Sequence, residues 1–80
     1  MFYVYILTSQ KDGSRYIGIT TDVERRLQEH NNGGAEYTST HTPYSLSWYC
    51  GFPDKNAALQ FERYLKSGSG HAFASKHLLS

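Results

Sequence analysis

Residues 2–20 constrain the fold more than any other part of the chain. Two β-rich runs flank Lys11-Asp12-Gly13-Ser14. Phe2 to Thr8 is dominated by aromatic and β-branched residues, and Arg15 to Thr20 reads as the returning strand. Asp-Gly between two such runs is a strong hairpin signal. With Asp12 and Gly13 as the central pair, Lys11 faces Ser14, Leu7 faces Gly18, Ile6 faces Ile19 and Tyr5 faces Thr20. Side chains alternate between the two faces of a strand. One face then holds Phe2, Val4, Ile6, Ile17 and Ile19, an apolar core layer. The other holds Tyr3, Tyr5, Leu7, Tyr16 and Gly18. A slip of one residue would destroy this separation.

A helix follows. Thr21-Asp22-Val23-Glu24 has the form of a capping box, with Thr21 as cap and Glu24 reaching back. The helix runs to about His30, and Asn31-Asn32-Gly33-Gly34 ends it. Val23, Leu27 and His30 share one face, with Arg26 at its flank and Arg25 nearly opposite. Ala35 to Pro43 is a polar connection. Tyr44 to Phe52 reads as a third strand, with Leu46, Trp48 and Cys50 along one face. Pro53-Asp54 breaks it and caps a second helix from about Lys55 to Ser67. The apolar arc of that helix is Ala57, Phe61, Tyr64 and Leu65, with Glu62 at the rim on one stripe with Ala58 and Lys66. Gly68-Ser69-Gly70 ends it, and His71 to Leu79 forms a short closing helix. The expected architecture is a single α/β (α+β) domain over residues 1–80. It has a small, mainly antiparallel three-stranded sheet flanked by helices, in the order β-β-α-β-α plus a short C-terminal helix.

Composition narrows the function classes. A chain of 80 residues keeps a thin stability margin, and its twelve aromatic residues help to fill the core. Any one tyrosine is therefore first a packing residue. The net charge of +1 neither favours nor excludes a nucleic-acid partner, so binding DNA would need a local cluster of positive charge. The one cysteine, Cys50, allows no internal disulfide and reads as a small core residue, which suits a reducing cytoplasm. His30, His41, His71 and His77 do not pair with cysteine at zinc-site spacing. No segment has the length of a membrane span and no signal peptide is evident.

These residues resemble the GIY-YIG nuclease superfamily, in particular its small stand-alone bacterial members. Tyr16-Ile17-Gly18 is the literal second half of the signature, and Tyr3-Val4-Tyr5 stands where the first half belongs. Tyr16-Ile17-Gly18-Ile19-Thr20 continues through Asp22-Val23-Glu24-Arg25-Arg26-Leu27 to His30-Asn31. Glu62 lies in a later helix, followed by Lys66, where the family carries its acidic residue. The first motif lacks its glycine, and Ile19 stands where some members carry lysine. A late asparagine of some members has no clear counterpart.

The resemblance implies a metal-dependent DNA endonuclease. Phosphodiester hydrolysis needs an activated water, a neutralised phosphoryl group and a stabilised leaving oxygen. Glu62 would hold a single Mg²⁺ or Mn²⁺, since one carboxylate with waters and a substrate phosphate suits such an ion. Its other reading is an i,i+4 ion pair with Lys66, worth about 0.3–0.5 kcal/mol. Arg26 would grip the scissile phosphate by its bidentate fork. Tyr5 and Tyr16 would divide general-base and phosphate-contact roles, the base needing a lowered pKa. The hairpin register above leaves these two about four residues apart, roughly 13 Å between backbones. His30 could assist proton transfer or simply pack beside Leu27. Gly18 would allow close approach of substrate, or make room opposite Leu7. Tyr3, Tyr37 and Lys66 are further substrate-contact candidates. A domain this small has little surface for reading bases, so selectivity for DNA structure is expected, with repair or recombination as the setting. DNA is the expected partner, with a targeting protein as a second. The chain is expected to be cytoplasmic, off the membrane, and a monomer or weak homodimer. The motif departures leave an alternative: a nucleic-acid-binding module of the same fold without turnover.

Overall fold

The computed structural model describes residues 1–32 and 40–79. Strand β1 (Phe2–Ser9) lies at the centre of a three-stranded antiparallel sheet. It is flanked by β2 (Arg15–Thr20) on one side and β3 (Tyr44–Phe52) on the other. Helix α1 (Val23–Asn31) covers one face of the sheet. Helices α2 (Lys55–Lys66) and α3 (Gly68–Phe73) cover the other, followed by a π-helical segment, Ala74–Leu78. The expected α+β order is therefore present.

The core forms on both faces. Val4 and Ile6 are fully buried against Ala58, Leu65 and Ala74, with Ile17, Ile19, Trp48 and Phe61 packed around them. Full burial of an aliphatic side chain of this size is worth about 1.5–3 kcal/mol. On the opposite face Tyr5, Leu7 and Tyr44 are buried beside Tyr16, Val23, Leu27 and Leu46.

The hairpin register differs from the expected one by two residues. Tyr5 faces Gly18, Ile6 faces Ile17 and Leu7 faces Tyr16. The loop contains four residues, because Ser9 and Asp12 satisfy its backbone. The Ser9 hydroxyl oxygen accepts from the Lys11 and Asp12 N–H groups at 3.1 and 3.2 Å, and an Asp12 carboxylate oxygen accepts from the Ser14 N–H at 3.0 Å. Gly13 closes the loop at φ +76°, a conformation that favours glycine. A two-residue shift leaves every side chain on its expected face, so the core layer is the one read from the sequence.

Four other local expectations change. Asp22, not Thr21, caps α1: its carboxylate accepts from the Arg25 N–H at 3.1 Å, and it leads the helix with its stronger charge-assisted bond. In β3 a bulge falls where Ile6 and Leu7 pair with Trp48 and Leu46, leaving Ser47 as the extra residue. The extra residue reverses the alternation, so Leu46 joins the Tyr5 face and Trp48 the Val4 face. Helix α2 turns Ala58 and Leu65 inward while Tyr64 is 41% exposed, so its buried stripe runs through Ala58, Phe61, Glu62 and Leu65. Gly68 to Gly70 begin α3, with Ser67 as cap, rather than merely ending α2. A Cβ on Gly70 would land on the Tyr64 carbonyl, so only glycine lets α3 fold back on the end of α2. Among the described residues no helix is long and apolar enough to cross a membrane.

Candidate active site

Tyr5, on the central strand, is 1% exposed, and its phenol lies over Gly18 on β2. A Cβ at Gly18 would sit 2.5 Å from the Tyr5 hydroxyl oxygen. Gly18 thus makes room for Tyr5, where the sequence register placed Leu7. Tyr16, two residues back along β2 on the same face, is half-buried. The corrected register brings the two rings to a centroid separation of 6.2 Å, which removes the expected 13 Å gap.

Helix α1 delivers two more groups to this face. His30 is fully buried. Its ring lies 4.6 Å from that of Tyr16, and its Nε2 is 3.1 Å from the Tyr5 hydroxyl. Arg26, one turn earlier, is 33% exposed and pairs with Glu29 at 3.1 Å. Its charge also acts on both the Tyr5 and Tyr16 phenols. The Tyr5 hydroxyl and His30 Nε2 share a hydrogen bond whose direction follows the imidazole tautomer. Buried beside the Arg26 charge, His30 is a neutral imidazole.

The titration behaviour agrees. Burial depresses the His30 pKa, and the neighbouring Arg26 charge depresses it further. Burial pushes the Tyr5 phenol up to about 12, against the lowering effect of Arg26. The expectation of a lowered tyrosine pKa therefore does not hold at Tyr5 in the free protein, because desolvation outweighs the single nearby cation. Burial works against charge on Arg26, yet Glu29 and the two phenols raise its pKa and hold it cationic.

Glu62 approaches from α2, on the other side of the sheet. Its side chain is only 15% exposed, and its charge acts on the Tyr5 phenol around the edge strand β2. Lys66 Nζ lies 3.4 Å from Glu62 Oε2. Lys66 also lines a 270 Å³ surface pocket with Arg15, Tyr16 and Ile17. The structure therefore gathers Tyr5, Tyr16, Arg26 and His30 into one connected cluster, with Gly18 beneath it and Glu62 and Lys66 beside it. Tyr3 stands apart. It meets Tyr49 edge-on at 6.0 Å and lines a separate 490 Å³ groove with Val23, Leu27 and Leu46. Tyr37 lies outside the described residues.

Two contributors escaped the sequence reading. Tyr44 closes the cluster behind His30, at a ring separation of 6.3 Å. Asn31 fastens the end of α1 to the start of β3: its amide donates to the Tyr44 carbonyl at 3.0 Å, and its side-chain oxygen accepts from the Tyr44 N–H at 2.7 Å. Asn31 was legible only as a helix terminator, since its partner is distant in sequence.

Two carboxylates lie by this cluster: Glu29, paired with Arg26, and Glu62, which pairs only with Lys66 among the described residues. Among the described residues no group of three or more His, Cys, Asp or Glu side chains could hold a metal ion. This donor set fits an ion such as Mg²⁺, which keeps several waters and takes a substrate phosphate oxygen. It does not fit a fully protein-caged metal.

Comparison with known proteins shows the family and the fold. A UPF0213 protein from Haloquadratum walsbyi is 50% identical over 66 residues, covering 81% of this chain and 73% of that protein. One from Streptococcus pneumoniae is 48% identical over 65 residues, covering 80% of this chain; the match spans 65% of its length, slightly under two thirds. The structure-specific endonuclease subunit slx1 of Schizosaccharomyces japonicus is 49% identical over 69 residues, covering 78% of this chain and 25% of that longer protein. The solution NMR structure of a UPF0213 protein from Bacillus halodurans superimposes with a TM-score of 0.58 at 41% identity, over 98% of this chain and 87% of that one. The family model described as the GIY-YIG catalytic domain matches residues 1–74, and the chain belongs to the GIY-YIG family.

Proposed function

We propose that this protein is a divalent-metal-dependent DNA endonuclease that selects DNA by its structure, acting in repair or recombination. The observation that carries the reading is the guanidinium of Arg26 acting on both the Tyr5 and Tyr16 phenols, with the carboxylate of Glu62 on an otherwise apolar helix stripe. A carboxylate on such a stripe costs desolvation, which packing alone does not explain. Membership of the family and the likeness to a structure-specific endonuclease subunit support the same reading.

Glu62 is the residue that would hold Mg²⁺ or Mn²⁺. When bound, such an ion neutralises the phosphoryl group and steadies the leaving oxygen. Arg26 holds nonbridging phosphate oxygens through its fork. Tyr16, after releasing its own proton to solvent to become a phenolate, takes the proton of the attacking water, because it is half-buried and opens onto the pocket that Lys66 lines. Tyr5 stays a neutral phenol at physiological pH, hydrogen-bonded to His30, and positions rather than deprotonates. His30 fixes the Tyr5 rotamer. DNA is the partner, and a targeting protein would supply any sequence choice that the small domain lacks.

The test is cleavage of supercoiled plasmid and of branched DNA with Mg²⁺ or Mn²⁺. Glu62→Ala and Arg26→Ala should lose activity with the fold intact by circular dichroism. Tyr16→Phe should lose about 10²–10⁴-fold, the usual contribution of a positioned base. Tyr5→Phe should lose less. Metal-independent DNA binding without cleavage by the wild type would instead establish a binding module without turnover.

A further inference from the structure

We propose that the open edge of β2, between Arg15 and Lys66, is a phosphate-binding site for a nucleic-acid strand, holding a backbone phosphate beside the one that is cleaved. The identity of the ligand rests on the nuclease reading above. The evidence for an anion site is local and separate from it.

Three kinds of donor meet there. First, the 270 Å³ pocket is lined by Arg15, Tyr16, Ile17 and Lys66, two cations and a phenol; the nearest carboxylate is that of Glu62, 3.4 Å from Lys66 Nζ and outside the lining. The larger groove near Tyr3 carries Asp22 and Glu24 instead, which repel a phosphate. Second, Arg15 is already held in place. One end of its guanidinium donates to the Ser75 hydroxyl at 2.8 Å, and the other lies 3.4 Å from His71 Nδ1. Both partners come from the C-terminal helices, so little side-chain freedom remains to be lost on binding an anion. Arginine has five N–H donors, and these two contacts leave others for a ligand.

Third, β2 is an edge strand. The Ser9 N–H donates to the Ser14 carbonyl at 2.8 Å, so Ser9 and Ser14 are a hydrogen-bonded pair. Such pairs alternate along an antiparallel ladder. Leu7–Tyr16 and Tyr5–Gly18 are then hydrogen-bonded, whereas Thr8–Arg15 and Ile6–Ile17 are not. The backbone N–H groups of Arg15 and Ile17 therefore point away from β1, toward the pocket edge. Backbone N–H groups beside Arg and Lys side chains are common ligands for DNA phosphates. Tyr16 belongs both to this pocket and to the Arg26–Tyr5–His30 cluster, which makes the two phosphate positions neighbours on one strand.

The test is binding of a fluorescent branched DNA to the whole chain, by anisotropy in EDTA, over a range of salt concentrations. Each phosphate contact contributes about 0.9 to the slope of log affinity against log salt on duplex, and about 0.7 on single strands. Arg15→Met and Lys66→Met should each reduce the slope by about that amount. Arg15→Lys should restore most of it. Lys55→Met, at the far end of α2, should leave it unchanged. Lys66 is exposed, so its variant reports even if Arg15→Met fails to fold. Unchanged slopes in the Arg15 and Lys66 variants, with DNA still bound, would overturn the phosphate site and leave the nuclease reading standing. Reduced slopes in a protein that never cleaves would support the site and sink the nuclease. A wild type with no salt-dependent DNA affinity would overturn both.

Discussion

At the scale of single residues, Gly18 is the most constrained position of the site. A methyl group there would collide with the Tyr5 hydroxyl oxygen, 2.5 Å from where the Cβ would stand. The phenol would have to move, and its bond to His30 Nε2 would go with it. Gly18→Ala should cost about 1–3 kcal/mol by overpacking. It should also lower cleavage about 10²-fold, since a displacement of an ångström in a positioned group has that effect. Thermal unfolding and plasmid nicking together check this; a variant with wild-type rates would show that Tyr5 need not lie over Gly18 during turnover. The same contact explains why Tyr5 and Tyr16 differ. They are the same residue type on one sheet face, but Tyr5 is buried and hydrogen-bonded to His30 Nε2, whereas Tyr16 is half-buried.

Among elements, helix α1 allows a clean comparison of two adjacent capping candidates. Asp22 accepts from the Arg25 N–H, whereas Thr21 is exposed and outside the helix. Asp22→Ala should destabilise by about 1 kcal/mol and Thr21→Ala by a few tenths at most. Equal losses in denaturant titrations would return the cap to Thr21. Helix α3 depends on Gly70 in a different way. Gly70→Ala should lift α3 from α2, expose Ala74 and Phe73, and make the C-terminal segment the first site of limited proteolysis. Resistance to protease equal to wild type would argue against this docking. The buried stripe of α2 teaches a related point. Ala57, Phe61, Tyr64 and Leu65 form a reasonable apolar arc on paper, yet packing turns the helix so that Ala58 and Glu62 face inward. Periodicity locates an apolar face only to within a residue or so, and the sheet decides the rest.

For the molecule as a whole, the buried cluster couples folding to pH. His30 has a depressed pKa in the folded chain, first from burial and then from Arg26. As pH falls through about 6.5, the unfolded chain takes up a proton on His30 that the folded chain refuses. Stability should therefore decline on acidification from neutral pH, and His30→Gln should flatten that decline while lowering stability overall. Melting temperatures at successive pH values read the effect; parallel profiles for both proteins would refute it. Asp12 acts in a lower window. Hydrogen bonds from Ser14, and then His41, hold its carboxyl well below the usual range. Its contribution is present above about pH 4 and is lost only below it.

The sequence by itself determined the element order, the two faces of the hairpin, the α+β class and the residue types of the site. Period-2 alternation and turn chemistry are local, and they survive a two-residue change of register because such a change returns each side chain to its own face. The motif residues Tyr5, Tyr16, Arg26, His30 and Glu62 were legible only through the resemblance to the GIY-YIG family. What they do to one another was not. The hairpin register depends on hydrogen bonds from Ser9 and Asp12, and the β3 bulge on fitting Leu46 and Trp48 into opposite cores. The raised pKa of Tyr5 and the lowered pKa of His30 depend on how much water the assembled layers exclude. Desolvation is set by everything packed around a group, so only the tertiary structure could decide which of two tyrosines remains open to solvent.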